Sequence, residues 1–247
     1  MGMFGSVKEY FDGRKTKRVE RAAKLITNPK AIRDDRWAAL EFLAHGLDDA
    51  DVAVPALLPR FEYSLEHGIN DTREKELTMK GIVRYGDKAI PYVKDWLQKT
   101  SRIAWPIKVL YELGQDQVVV DCLKAALNYG EVSFSQLDVD KNYDILCYLR
   151  DYQIHDLIPQ ISHFLVDADE RVRYAAAEVL IAQKTDVVKD TLVHFLADDT
   201  AENRRIRGAV AQLFIDRQWK VPNPAQFQGG RVTEQVSIGA DGRLVHA

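Results

Sequence analysis

The sequence predicts an all-α chain built as a row of antiparallel helix pairs, an α-solenoid, and three observations predict it. Arg171-Val-Arg-Tyr-Ala-Ala-Ala-Glu-Val-Leu-Ile and Arg205-Ile-Arg-Gly-Ala-Val-Ala-Gln-Leu-Phe-Ile lie 34 residues apart and match in character at nearly every position. A proline recurs at 55, 91 and 159, with apolar residues before it and two positions after. Strand signals are absent until the C-terminus. Recurrence at such a period marks repeat architectures, in which each unit buries its apolar face only against its neighbours.

The first segment, residues 1–33, is basic, with nine Lys/Arg against three Asp/Glu, whereas residues 34–78 carry four against eleven. Adjacent counter-charge predicts a basic first helix folded over an acidic first repeat; the competing reading is a basic arm for an acidic partner, nucleic acid or anionic lipid.

The repeat body spans 34–219. Arg36-Trp-Ala-Ala-Leu-Glu-Phe-Leu-Ala is a third copy of the recurring segment, with Arg36 and Glu41 where Arg173 and Glu178 fall. Weaker copies cover 77–86, 103–114 and 143–152. Proline is tolerated in a first helical turn, where its missing N–H costs nothing, so Pro55, Pro91 and Pro159 are expected to open the first helix of each pair. Residues 116–128 and 185–197 read as the same element without proline. In the clearest second helix, Val172, Ala175, Ala176, Val179 and Leu180 form an apolar stripe, with Asp167 and Asp169 as N-cap candidates. Pro106, about a turn into its helix, is expected to kink it.

The polar stretch 130–142 reads as a long inter-helix loop, with Asp140 or Asn142 capping the next helix and Phe134 and Leu137 available to dock on the chain or a partner. Its acidic pattern fails as a calcium loop, because Tyr143 and Leu149 stand where glycine and glutamate are required. After Trp219 the tail, 220–247, alternates at period two over 232–238, and Asp241-Gly242 is a turn signal, which together suggest a β-hairpin. A hairpin alone is marginal in water, so the tail either caps the last repeat or pairs with another chain.

The Ala-Val-Pro-Ala-Leu opening at residue 53 and the Val-Arg-Tyr-Ala-Ala core at residue 172 resemble HEAT repeats of the armadillo-like family, in the short bacterial subtype similar to phycobilisome-lyase repeats. The resemblance implies a right-handed superhelix of about five pairs. It implies little about function, since such arrays include scaffolds, lyase subunits and DNA glycosylases. It also implies that Arg36, Arg173 and Arg207 share one repeat position, where an arginine pairs with an aspartate of the neighbouring repeat; Asp169, Asp198 and Asp199 are at hand.

The same three arginines, with Lys80 and Lys108 one helical turn further along, are alternatively a basic stripe for an acidic partner. Trp37, Trp105 and Tyr174 also align, either as packing between second helices or as anchors of a binding groove. These eight residues are the partner-binding candidates. A net charge of −3 and a pI near 6.1 disfavour a globally basic nucleic-acid binder. The six histidines show no metal spacing, and neither a phosphate loop nor a nucleophile elbow occurs, so no catalytic, cofactor or metal residue is assigned. No apolar run approaches the ~18 residues of a membrane span. The two cysteines suit a reducing, cytoplasmic setting. The expected function is a non-catalytic protein–protein scaffold. The alternatives are nucleic-acid binding of the HEAT-like DNA glycosylase type and a tetrapyrrole lyase-type subunit.

Overall fold

A computed structural model describes residues 16–114, 116–127, 135–227 and 230–247. The described residues are mostly helical, with twelve α-helices and one small antiparallel sheet at the C-terminal end. The chain divides after Ala126 into two compact units.

In the first unit, helix α1 (16–26) buries Val19, Ala22 and Ile26, one helical stripe. It is held to the unit by this stripe, by Arg18 over the Phe42 ring at 3.9 Å, and by the Tyr63 hydroxyl, which donates to the Ile26 carbonyl. Among the described residues Lys17, Arg18, Arg21 and Lys24 form no ion pair, so α1 docks by apolar packing, the Arg18–Phe42 contact and the Tyr63 hydrogen bond. α2 (Arg33–His45) stops at Gly46. The Asp49 carboxylate accepts from the Asp51 N–H and starts α3 (Ala50–Leu57). Pro55 is therefore the sixth of eight residues in α3 and not its opening residue: the Asp49 cap begins the helix upstream, and the helix ends within one turn of the proline. A 3-10 turn (Leu58–Glu62) leads to α4 (Gly68–Val83), which begins nine residues before the weak repeat copy at Leu77. Its buried face is Asp71, Glu74, Lys75, Thr78, Gly81 and Ile82, a helical stripe made largely of polar side chains.

Pro91 does stand in the first turn of α5 (Ile90–Lys99). α6 (Ala104–Glu112) starts two residues before Pro106, which thus also occupies a first turn, where its ring breaks no helical hydrogen bond and gives no reason for a kink. α7 runs from Asp116 to Ala126. α2, α4 and α6 neighbour one another in that order, and α5 packs against both α6 and α7. The α2–α4 contact is close enough to require Gly81: a Cβ there would lie 2.6 Å from the Ala44 Cβ and 2.8 Å from its Cα.

In the second unit, α8 (Gln136–Leu149) takes up most of the stretch read as a loop, so Leu137, Asp138, Asp140 and Asn142 are helical, and Ser135 precedes the helix in place of the expected Asp140 or Asn142 cap. Phe134 lies outside the described residues. Pro159 opens α9 (Ile158–His163). Asp169 caps α10 (Glu170–Ala182) by accepting from the Arg171 N–H at 2.8 Å, and Asp167 in turn accepts from the Asp169 N–H. The stripe Val172, Ala175, Ala176, Val179 and Leu180 is fully buried, as its spacing predicts. α11 (Val188–Leu192) and α12 (Arg204–Asp216) complete the helices, and α10 packs against both α8 and α12.

The tail is a three-stranded antiparallel sheet in place of a two-stranded hairpin. The stretch read as one strand bends at Glu234 and Gln235 into β1 (Arg231–Thr233) and β2 (Val236–Ile238). The Asp241-Gly242 turn, with Gly242 at φ 81°, leads to β3 (Leu244–His246). β1 and β3 pack on α12, burying Val232, Val236 and Leu244.

Candidate functional site

The most unusual local chemistry lies in the first unit, where five charged side chains are buried together. Glu74 of α4 is 1% exposed. Its Oε1 accepts from Arg36 Nε at 2.9 Å and faces Arg36 Nη2 at 2.8 Å, while its Oε2 accepts from Arg60 Nε at 2.9 Å. Arg60, fully buried in the turn after α3, also donates to Asp71 Oδ1 at 2.8 Å, and Asp71 Oδ2 lies 2.7 Å from Lys75 Nζ. Arg36 Nη1 donates to the Ala31 carbonyl, and Lys75 donates to Ser64 Oγ. Burial of an unpaired charge is prohibitively costly, so mutual pairing is what permits this cluster.

The shared charges leave their mark on titration. Burial alone would raise the Asp71 carboxyl, but hydrogen bonds from Lys75, Arg60 and the Leu65 N–H outweigh it and hold the carboxyl below its ordinary range. The hydrogen bond to Glu74 raises the Arg36 guanidinium against the opposing effect of burial. Burial raises the Tyr63 phenol despite the nearby arginines. Three cations against two anions leave the cluster with one excess positive charge.

Beside it lies a cavity of about 160 Å³, lined by Arg33, Asp34 and Trp37 of α2 and by Asn70, Arg73 and Glu74 of α4. Trp37 is half-buried in its wall. Arg33 and Arg73 are exposed, and neither pairs with a carboxylate among the described residues. Lys80, further along α4, is exposed and forms no ion pair among the described residues.

Of the other predicted residues in this unit, Trp105 stacks on Phe61, rings 6.0 Å apart and 8° from parallel, with Lys108 Nζ 4.4 Å from the Trp105 ring centre. Trp105 therefore packs on the turn after α3 and also carries a cation against its ring.

In the second unit Arg173 is buried and donates through Nη1 to the carbonyls of Asp167 and Ala168, through Nε to Asn203 Oδ1, and reaches Glu202 at 3.4 Å. Asn203 in turn donates to Asp198 Oδ2 at 2.6 Å, and Arg207 Nη1 donates to the Asp198 carbonyl. Tyr174 lies under the Arg205 guanidinium at 3.9 Å. The arginine position thus behaves alike three times, binding a carbonyl just upstream of its own helix. The carboxylate partners differ from those expected: Arg36 takes Glu74, Arg173 reaches Asp198 only through Asn203, and Asp169 holds Arg171 instead. Buried this deeply, Arg36 and Arg173 cannot present their guanidinium groups to a partner.

A second, polar cavity of about 370 Å³ lies between the start of α12 and the β1–β2 turn, lined among others by Arg204, Arg207, Gly208 and Glu234. When the sequence is aligned so that Arg207 matches Arg36, Arg204 and Gly208 match Arg33 and Trp37, so the two cavities share aligned positions. α4 forms the far wall in one and the sheet forms it in the other.

Cys122 is buried and Cys147 only half-buried; burial raises both thiols, and Cys147 is hydrogen-bonded with Tyr143. Among the described residues, no three His, Cys, Asp or Glu side chains gather to hold a metal ion, and no helix is long and apolar enough to cross a membrane.

Sequence reasoning missed Arg60, Asp71, Glu74 and Lys75. A signal was present: Asp71, Glu74, Lys75 and Thr78 recur at helical spacing in the register of Gly81 and Ile82. No family model, curated protein or solved structure matches the chain.

Proposed function

We propose that the chain is a non-catalytic scaffold of HEAT-like helix pairs that binds a protein partner in the cytoplasm. The repeat architecture is supported by the recurring bond of Arg36, Arg173 and Arg207 to a carbonyl upstream of the helix each one sits on. Rows of second helices within each unit, α2–α4–α6 and α8–α10–α12, support it further.

One observation carries the binding reading. Among the described residues, four of the eight exposed large hydrophobic side chains fall at or near the starts of second helices: Ile32 and Ile69 at α2 and α4, Leu137 at α8, and Val166 four residues before α10. Single exposed aliphatics are ordinary on protein surfaces. Here they gather near the N-terminal ends of second helices, and covering such residues with a partner removes apolar surface from water.

The test is affinity capture from the native host lysate with the full chain, split into nuclease-treated and untreated halves and read by mass spectrometry. One protein recovered equally from both halves is the expected result. Recovery that vanishes with nuclease would overturn the scaffold reading in favour of nucleic acid. A coloured adduct on co-expression with a tetrapyrrole protein would overturn it in favour of a lyase-type subunit.

A further inference from the structure

The cavity between α2 and α4 has the composition of a specific docking site, and its charge selects the occupant. Its volume of about 160 Å³ is below the roughly 300–1,000 Å³ of small-molecule and cofactor pockets, and suits a single side chain. Its wall holds a half-buried tryptophan and two arginines without ion pairs, the residue types that dominate interface energetics. Ile32, 70% exposed, immediately precedes Arg33, and Ile69, 74% exposed, immediately precedes Asn70, so large aliphatics flank the cavity in sequence on both helices.

The charge follows from the geometry. Glu74 lines the cavity, but both its oxygens are taken by Arg36 and Arg60. Beneath it lies the buried cluster with its one excess positive charge, poorly screened because it is away from water. On the rim Arg33 and Arg73 face a single carboxylate, Asp34. Counted with the cluster beneath it, the site brings together five cations (Arg33, Arg36, Arg60, Arg73 and Lys75) and three anions (Asp34, Asp71 and Glu74), although residues 34–78 as a whole are acidic.

We propose that this cavity docks an acidic segment of a protein partner, with a Glu or Asp carboxylate between Arg33 and Arg73 and a neighbouring apolar side chain against Trp37. The proposal rests on the scaffold reading and names the partner's chemistry.

The probe is a fluorescein-labelled peptide of four Asp-Glu-Leu units, titrated with the full chain and followed by anisotropy at low and moderate salt. A peptide of four Lys-Arg-Leu units and a labelled oligo-dT serve as comparisons. Arg33→Glu combined with Arg73→Glu is expected to weaken acidic-peptide binding by about tenfold or more, because like charges then face the peptide. Trp37→Ala is expected to weaken it also, by removing the aromatic anchor. Lys99→Glu, exposed at the end of α5, is expected to leave it unchanged. Both substituted arginines are exposed, and circular dichroism confirms the fold of each variant; Arg33→Gln with Arg73→Gln replaces the reversal should that variant fail to fold. No binding of the acidic peptide, binding indifferent to these substitutions, or equal binding of the basic peptide overturns the proposal. So does oligo-dT binding that the acidic peptide cannot compete away. A partner captured from nuclease-treated lysate equally by wild type and double variant would sink the docking site while the scaffold reading stands.

Discussion

Glu74→Gln is the sharpest probe of the buried cluster. Glutamine keeps the shape of the side chain, so no cavity is made and only the charge is removed. The consequence is specific: Arg36 loses a carboxylate that meets both its Nε and Nη2, and Arg60 loses its Nε acceptor. Arg60 still holds Asp71, whereas Arg36 keeps no anionic partner, only the Ala31 carbonyl and the one neutral amide oxygen that glutamine retains. Removing one partner from a buried ion pair typically costs about 3–5 kcal/mol, because the other charge is stranded away from water. For a chain of this length that corresponds to a fall in Tm of roughly 6–20 °C. Thermal and urea unfolding followed by helical circular dichroism reads it directly. Glu178→Gln is the built-in comparison: its partner Arg150 is half-exposed at 3.5 Å, and such a pair is worth about 1 kcal/mol or less. Equal losses for the two variants would refute the argument that burial makes the Glu74 cluster indispensable. The combined change of Arg36→Met, Arg60→Met and Glu74→Leu is expected to recover much of the loss, since apolar packing can replace a buried ion network.

Three further outcomes follow from the same geometry. Because the Asp71 carboxyl is held below its ordinary value in the folded state, its contribution is complete above the unfolded value of about 3.9 and is lost as pH falls through the folded one; acid titration of unfolding should show a drop below about pH 4 that is shallower in Asp71→Asn. Gly81→Ala is expected to destabilise by about 1–3 kcal/mol, because its Cβ meets Ala44 backbone, whereas Gly208→Ala, with open space around it, should stabilise by about 0.5–1 kcal/mol; opposite signs in one denaturation series check both. Deleting residues 222–247 uncovers the face of α12 that β1 and β3 cover, so the truncated chain should melt lower and bind a hydrophobic dye; unchanged melting would show that the sheet is not a structural cap.

The parts of the fold legible in advance are those set by local chemistry. The α10 stripe and its Asp169 cap, the helix starts at Pro91 and Pro159, and the Asp241-Gly242 turn all depend on residues within a few positions of one another. Pro55 misled because a proline is compatible with either end of a short helix, and only the Asp49 cap decides which. The stretch 130–142 misled because polar composition argues for a loop, while α8 shows that a polar helix can form where packing rewards it. The site was half legible: Arg36 and Trp37 stood out through the repeat, but their partners on α4 did not, since a search for apolar periodicity passes over a buried face made of Asp71, Glu74, Lys75 and Thr78.

The sequence by itself determined that the chain is mostly helical and where several of its caps, apolar stripes and turns fall, because helical period, capping and proline geometry act along the chain. Only the tertiary structure decided what those residues do. Arg36 and Arg173 became internal ties, and Arg33 and Arg73 were left exposed. Whether a charge is paired, buried or free depends on side chains tens of residues away, and the long-range packing of α2 against α4 is what brings them together.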